Sequence, residues 1–318
     1  MKTAVELRFS ASYAARYHGC HASANLEEAI PGFEFRKKEW AQARSGGTAL
    51  HLVLDAVLTK STDILAAVTM LRALAEVSNR GNAKPRYTLL TDQREYLIWW
   101  FLKDHTGPVL EHEHLLPLAI TKDESGNDVE HMASPKQIRF LADAAEYVYL
   151  VMQEGASNDL STERSAQATW LESKPWTTVD IMVRQPNVLH IMDYKSGTTP
   201  VEAIENVQLL YYAACFLQDE EFIELHILQD GNIVKWTITR EYLLTWMKEL
   251  KKSEAAILGG DLTFTLGNHC GFCPANPQSR GDKGYPFCPP RVELLYGQSP
   301  EADQDAAMLA YEDEEEVA

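Results

Sequence analysis

Asp193 and Lys195 stand two residues apart at the end of the apolar run VLHIMDYKSG, residues 188–197. In a strand both side chains point to one face, with Tyr194 on the other. A carboxylate and an ammonium so placed form either a surface ion pair or half of a metal-dependent hydrolytic site. Asp180 lies in a second β-branched, apolar run, TTVDIMV, and RQPN between the two runs is a turn sequence, so the segment reads as a hairpin. Paired strands lie about 5 Å apart, so Asp180 and Asp193 can converge. Two hard oxygen donors suit Mg²⁺ or Mn²⁺. Such an ion acidifies a bound water and offsets charge on a phosphate. Lys195 would orient or help deprotonate that water and screen the developing charge. Gln208 and Tyr212, one helical turn apart, face one side of the following helix. His51 sits on an early helix.

A second set of chemically active residues lies near the C-terminus. Cys270 and Cys273 in NHCGFCP have metal-ligand spacing, and Cys288 follows after fourteen intervening residues. A tetrahedral site needs a fourth ligand, either Cys20 or a nearby histidine such as His269. Cys215 lies within an apolar helix and reads as a small buried hydrophobe. Thiolates suit either Zn²⁺ or an iron–sulfur cluster, and the spacing leaves both open.

These residues need elements to position them. SASYAARYHGCHASANLEEA reads as two short helices separated by a turn at Gly19. Leu50, Val53, Leu54 and Val57 recur with helical spacing around His51. Residues 62–79 form a helix with Thr62 as its cap and Gly81 as its stop, and residues 134–154 form another that starts at Ser134 and Pro135. Between them, REYLIWWFLK reads as a strand or a buried helix and TKDESGNDVE as a polar loop or hairpin, so residues 60–160 are expected to be a mainly helical insertion. A helix over 201–218 follows the DYK strand. FIELHILQ and IVKWTIT, joined by DGN, form a second hairpin, and residues 240–258 an amphipathic helix. Residues 1–298 are expected to be a single domain, with 165–258 as its α/β core and 299–318 as a disordered acidic tail.

Composition narrows the function classes. The formal net charge is −17, and residues 301–318 carry eight acids and no base. The rest of the chain stays acidic without them, so a nucleic-acid site must be a local groove rather than a global basic field. No apolar run is long enough to cross a bilayer. The segment MKTAVELRFSASYAARYHGC has no uninterrupted apolar stretch of the kind a secretion signal carries, so a soluble, cytoplasmic protein is expected.

GTALH, TTVD, DYK and QLLYY, in that order, resemble the motifs of the RecB-type nucleases of the PD-(D/E)XK superfamily. The resemblance implies a restriction-endonuclease-like α/β core, a small mixed sheet flanked by helices, over roughly residues 45–240. It implies that His51, Asp180 and Asp193 ligate the metal together with the backbone carbonyl of Tyr194. Lys195 would be the catalytic lysine, and Gln208 and Tyr212 would position DNA or the lysine. One cysteine before these motifs and three after resembles the iron–sulfur subset, which includes CRISPR-associated adaptation nucleases and AddB-type domains. In that subset Cys20, Cys270, Cys273 and Cys288 would hold a [4Fe–4S] cluster joining residues 1–25 to 259–298; the alternative is a structural Zn²⁺ with His269. The N-terminal segment also resembles phage and prophage members. The implied activity is exonucleolytic hydrolysis at DNA ends, with single-stranded DNA as substrate and Trp99, Trp100, Trp170 and Trp176 as aromatics able to stack bases or to pack the core. A second reading is a DNA-end-binding recombination or adaptation accessory protein with weak or no cleavage, working with a recombination or replication partner.

Overall fold

The computed structural model describes residues 9–35, 50–51, 53–59, 63–78, 83–90, 95–102, 116–122, 128–156, 159–197, 199–279, 284–285 and 287–296. The acidic tail, Thr62 and Gly81 lie outside them. In chain order the helices are α1 (Ala11–Gly19), α2 (Leu26–Ala29), α3 (residues 50–51 and 53–59), α4 (Ile64–Ser78), α5 (Pro135–Glu154), α6 (Val207–Phe216), α7 (Arg240–Leu258) and α8 (Pro289–Tyr296). The strands are β1 (Glu34–Phe35), β2 (Ala83–Leu90), β3 (Glu95–Leu102), β4 (Leu116–Lys122), β5 (Asp128–Ala133), β6 (Asp159–Gln167), β7 (Trp176–Arg184), β8 (Val188–Lys195), β9 (Phe222–Gln229), β10 (Asn232–Thr239) and β11 (Gly284–Tyr285). Two compact units emerge. One gathers Met1–Glu39, Gln167–Thr177 and Leu244–Ala318, and the other gathers Trp40–Ala166 and Thr178–Leu243.

The larger unit holds a mixed five-stranded sheet in the order β10-β9-β8-β7-β6. β8 and β9 are parallel, while the β7–β8 and β9–β10 pairs are antiparallel. Every interior residue of β8 is buried, as a central strand covered on both faces requires. Local chemistry sets the turns. Gln185 and Val188 exchange backbone bonds around Pro186-Asn187, which closes the β7–β8 hairpin. Asp230 and Gly231, at φ 54° and 77°, make the left-handed two-residue turn that matches the twist between β9 and β10.

One face of the sheet meets α3, α4 and α5 through a core that includes Leu54, Leu141, Val148, Ile181, Met192 and Leu228. α5 starts with a capping box: Ser134 Oγ accepts from Gln137 N–H at 3.2 Å, and Gln137 Oε1 accepts from Ser134 N–H at 2.8 Å. α4 begins at Ile64, where the Asp63 carboxylate accepts from Ala66 N–H at 3.0 Å. α6 begins at Val207 rather than 201, because Asn206 Oδ1 caps it by accepting from Gln208 and Leu209 N–H, and residues 201–206 form turns ahead of it.

The stretch between α4 and α5 differs from its mainly helical expectation. It holds two antiparallel hairpins, β2–β3 and β4–β5. REYLIWWFLK supplies β3, as its β-branched and aromatic content favours. The side chains of Trp99 and Trp100 lie outside the described residues. Trp170 packs near Trp246 at 6.2 Å between ring centroids, and Trp176 is 66% exposed.

Candidate metal centre

The β7–β8 register pairs Ile181 with Met192, so Asp180 and Asp193 follow as the next opposed positions, on one face. Three potential ligand atoms cluster there, one each from His51, Glu163 and Asp180, all within 4.8 Å of one another. His51 Nδ1 lies 3.4 Å from Glu163 Oε1 and 3.6 Å from Asp180 Oδ2. The hydrophobic face of α3 is buried through Leu50, Val53 and Leu54, and this seating delivers His51 to the cluster edge-on to Tyr194. The Thr162 hydroxyl donates to the Asp55 carboxylate and so ties β6 to α3 beside Glu163.

Glu163 was not singled out from the sequence. It adopts φ 46° within β6, a left-handed conformation that a non-glycine residue in a strand rarely takes. Such strain persists where surrounding contacts hold it in place and is concentrated at functional sites. A lone glutamate in the polar strand DLSTERSAQ carries no pattern that would have marked it.

Electrostatics show how much negative charge is confined here. Burial and the neighbouring Asp193 charge push Asp180 up to about 7, against the pull of His51, the Tyr194 N–H and Lys195. Burial alone would lower His51, but its bond to Glu163 and the charges of Asp180, Glu163 and Asp193 outweigh burial and raise it. Asp193 is 2% exposed, and its Oδ2 meets the Lys195 ammonium at 2.7 Å while making no aligned hydrogen bond among the described residues. Asp180 Oδ2 accepts the Tyr194 N–H at 2.9 Å, so the observed tie at Tyr194 is through its nitrogen. Gln208 Nε2 donates to Tyr212 OH at 2.5 Å. Burial raises the Tyr212 phenol, and the charges of Asp193, Asp180 and Glu163 raise it further, which places α6 beside the same cluster.

The sequence-derived residues His51, Asp180, Asp193, Lys195, Gln208 and Tyr212 therefore gather in one unit, with Glu163 added. Asp193 lies beside the three-atom group rather than within it, turned to Lys195. A divalent cation fits this donor set. It would bring oxygen ligands the positive charge that the raised Asp180 shows to be lacking.

A family model described as "Protein of unknown function (DUF2800)" matches residues 7–310. The chain belongs to the DUF2800 family. A comparison with curated proteins found no match. Among solved structures, this DUF2800 chain is similar to one titled "Crystal structure of SSO0001", with 12% identity, 43% of this chain and 71% of that chain covered, and a TM-score of 0.26. A similarity at that level carries no argument about fold or activity.

Four of the five cysteines of this DUF2800 member, Cys20, Cys270, Cys273 and Cys288, lie in its other unit. Cys20 is held at the end of α1, where its sulfur accepts from Thr265 N–H at 3.5 Å. A Cβ at Gly19 would collide with the His269 ring, so glycine lets α1 close on the turn that carries Cys270. Cys270 lies within a short 3-10 turn, Asn268–Phe272, and Cys273 caps its end, while Cys288 N–H donates to Ala275 O at 2.6 Å, folding the later segment back. Burial pushes the Cys288 thiol up to about 11 against the pull of the Arg291 N–H, and Cys273, Cys20 and Cys270 add to it. Among the described residues these cysteines form no group of three with sulfurs within 4.8 Å, whereas thiolates around one zinc stand about 3.8 Å apart. His269 Nε2 is bonded to Thr265 O at 2.9 Å.

Proposed function

We propose that the chain is a metal-dependent DNA nuclease with a PD-(D/E)XK-type core, hydrolysing phosphodiester bonds at DNA ends. The observation that carries this reading is the meeting of His51, Glu163 and Asp180 within 4.8 Å, beside the Asp193–Lys195 pair. His51, Glu163, Asp180 and Asp193 would hold Mg²⁺ or Mn²⁺, and the ion, when bound, supplies water activation and charge neutralisation. Lys195 is part-exposed and keeps its ammonium next to Asp193. From there it can donate to a phosphoryl oxygen that gathers charge. Gln208 and Tyr212 brace each other and orient the lysine side of the site.

Cys20, Cys270, Cys273 and Cys288 are assigned to a [4Fe–4S] group on their order, one before the acid motifs and three after; it would clasp the N-terminal helix to the C-terminal segment, with a structural Zn²⁺ as the alternative. DNA is the proposed partner. No helix among the described residues is long and apolar enough to cross a membrane.

The test uses end-labelled single- and double-stranded DNA with Mn²⁺. The wild type should shorten the label progressively, and Asp193→Ala and Lys195→Ala should both lose this. DNA binding without degradation by the wild type would instead assign the chain an accessory role.

A further inference from the structure

β8 carries a second polar group on its opposite face. Alternation puts His190 with Met192 and Tyr194, away from Asp193 and Lys195. The parallel register sets His190 against Glu224 and Met192 against His226. Three ligand atoms meet there. His190 Nδ1 lies 3.3 Å from His226 Nε2, and Glu224 Oε2 lies 3.5 Å from the first and 3.7 Å from the second. Zinc with nitrogen and oxygen ligands at about 2.0–2.2 Å needs ligand-to-ligand edges of about 3.3–3.6 Å in a tetrahedron.

We infer that His190, Glu224 and His226 form a second metal site, separate from the acid cluster, which binds a zinc ion through two imidazoles and one carboxylate and leaves a fourth position open. The donor set suits zinc rather than magnesium, because imidazole is a borderline ligand and two of the three donors are nitrogen. While His190 Nε2 is buried without a hydrogen-bond partner among the described residues, His226 has a supporting partner, the Tyr147 hydroxyl 3.0 Å from its Nδ1. When Nδ1–H donates to that oxygen, Nε2 is left with its lone pair toward the site, the arrangement that orients zinc-binding histidines. His226 is fully buried and His190 is 5% exposed, so the rings are held firmly. A histidine–histidine hydrogen bond alone would account for the 3.3 Å contact. It would not place Glu224 Oε2 almost equally far from both nitrogens. Glu224 is part-exposed, and the Lys235 ammonium on β10 lies 3.6 Å from the same Oε2, so an ion that binds there takes the place of this lysine contact. The zinc would pin β8 to β9 directly behind the acid-bearing face.

The full-length chain is treated with a chelator, and zinc binding is then measured in chelator-buffered Zn²⁺ for wild type, Glu224→Ala and His226→Ala, with circular dichroism on each. Each variant should bind one zinc fewer per chain than wild type at the same free zinc. Co²⁺ in place of zinc should give visible bands of a tetrahedral nitrogen and oxygen site, and these should vanish in Glu224→Ala. Glu224→Ala changes a part-exposed side chain, so it reports even where His226→Ala fails to fold. A folded Glu224→Ala with the wild-type zinc count and Co²⁺ spectrum would overturn the site. Because the readout is metal binding rather than DNA cleavage, it stands or falls separately from the nuclease reading.

Discussion

On one face of β8 the polar groups are mostly acids; on the other they are imidazoles. Burial and the neighbouring Asp193 charge together push Asp180 up to about 7. Behind them His190 and His226 are buried side by side, and burial pushes His226 down to about 3. The same backbone thus presents an acid-rich group of donors of the kind that suits a hard ion, and a more buried group of two imidazoles and one carboxylate of the kind that suits a borderline ion. Side-chain alternation along one strand is enough to put His190 and Asp193, three residues apart, on opposite faces.

The largest expected difference between the faces is in catalysis. Asp193→Ala and Lys195→Ala should each reduce Mn²⁺-dependent DNA degradation by about 100-fold or more, the scale on which losing one stabilising group in a transition state is felt. An end-labelled substrate followed over time would measure it. Activity within threefold of wild type in either variant would break the contrast at its acid side.

Stability separates the faces next. Met192 is fully buried on the imidazole face, and Met192→Ala should cost about 2–5 kcal/mol in urea unfolding through lost burial and the cavity left behind. Asp180→Asn should do the reverse in metal-free protein. Asp180 titrates near 7 when folded, against an ordinary value of 3.8. Between those values the folded chain holds a proton that the unfolded chain has released, so wild-type stability falls as pH rises through that window and stays low above it. Asparagine keeps an acceptor for the Tyr194 N–H and removes the charge. Its melting temperature should therefore exceed that of wild type by a few degrees at pH 8, with the gap closing toward pH 4. Adding Mn²⁺ should raise the melting temperature of wild type and not of Asp180→Asn.

The smallest effect concerns the helix that supports the imidazole face. Ser134→Ala removes one arm of the α5 capping box and should cost about 0.5–2 kcal/mol. A loss confined to that range, measured by urea unfolding, would show that Tyr147 is positioned by core packing more than by the helix start.

The acid side was largely legible in the sequence because its signals are local. The β7–β8 hairpin brings Asp180 and Asp193 together through a short turn, and one helical turn separates Gln208 from Tyr212. Glu163 was not legible. It comes from an edge strand without alternation, and only its left-handed backbone and the tie from Thr162 to Asp55 aim it at His51. The His190, Glu224 and His226 group was hidden for another reason: its residues meet through the parallel pairing of β8 with β9 across an intervening helix, a register that sequence patterns do not encode. The hairpins between α4 and α5 were read as mainly helical because short apolar runs suit a buried helix as well as a strand.

The account rests most directly on a divalent ion held by His51, Glu163 and Asp180. Mn²⁺ binding to the full-length chain, followed by electron paramagnetic resonance of the free ion, tests it. One Mn²⁺ per chain should bind to wild type, with affinity at least about 10-fold weaker in Asp180→Asn and in Glu163→Gln. Mn²⁺ binding that is equally tight in wild type and Asp180→Asn, or no binding by the folded wild type, would contradict it.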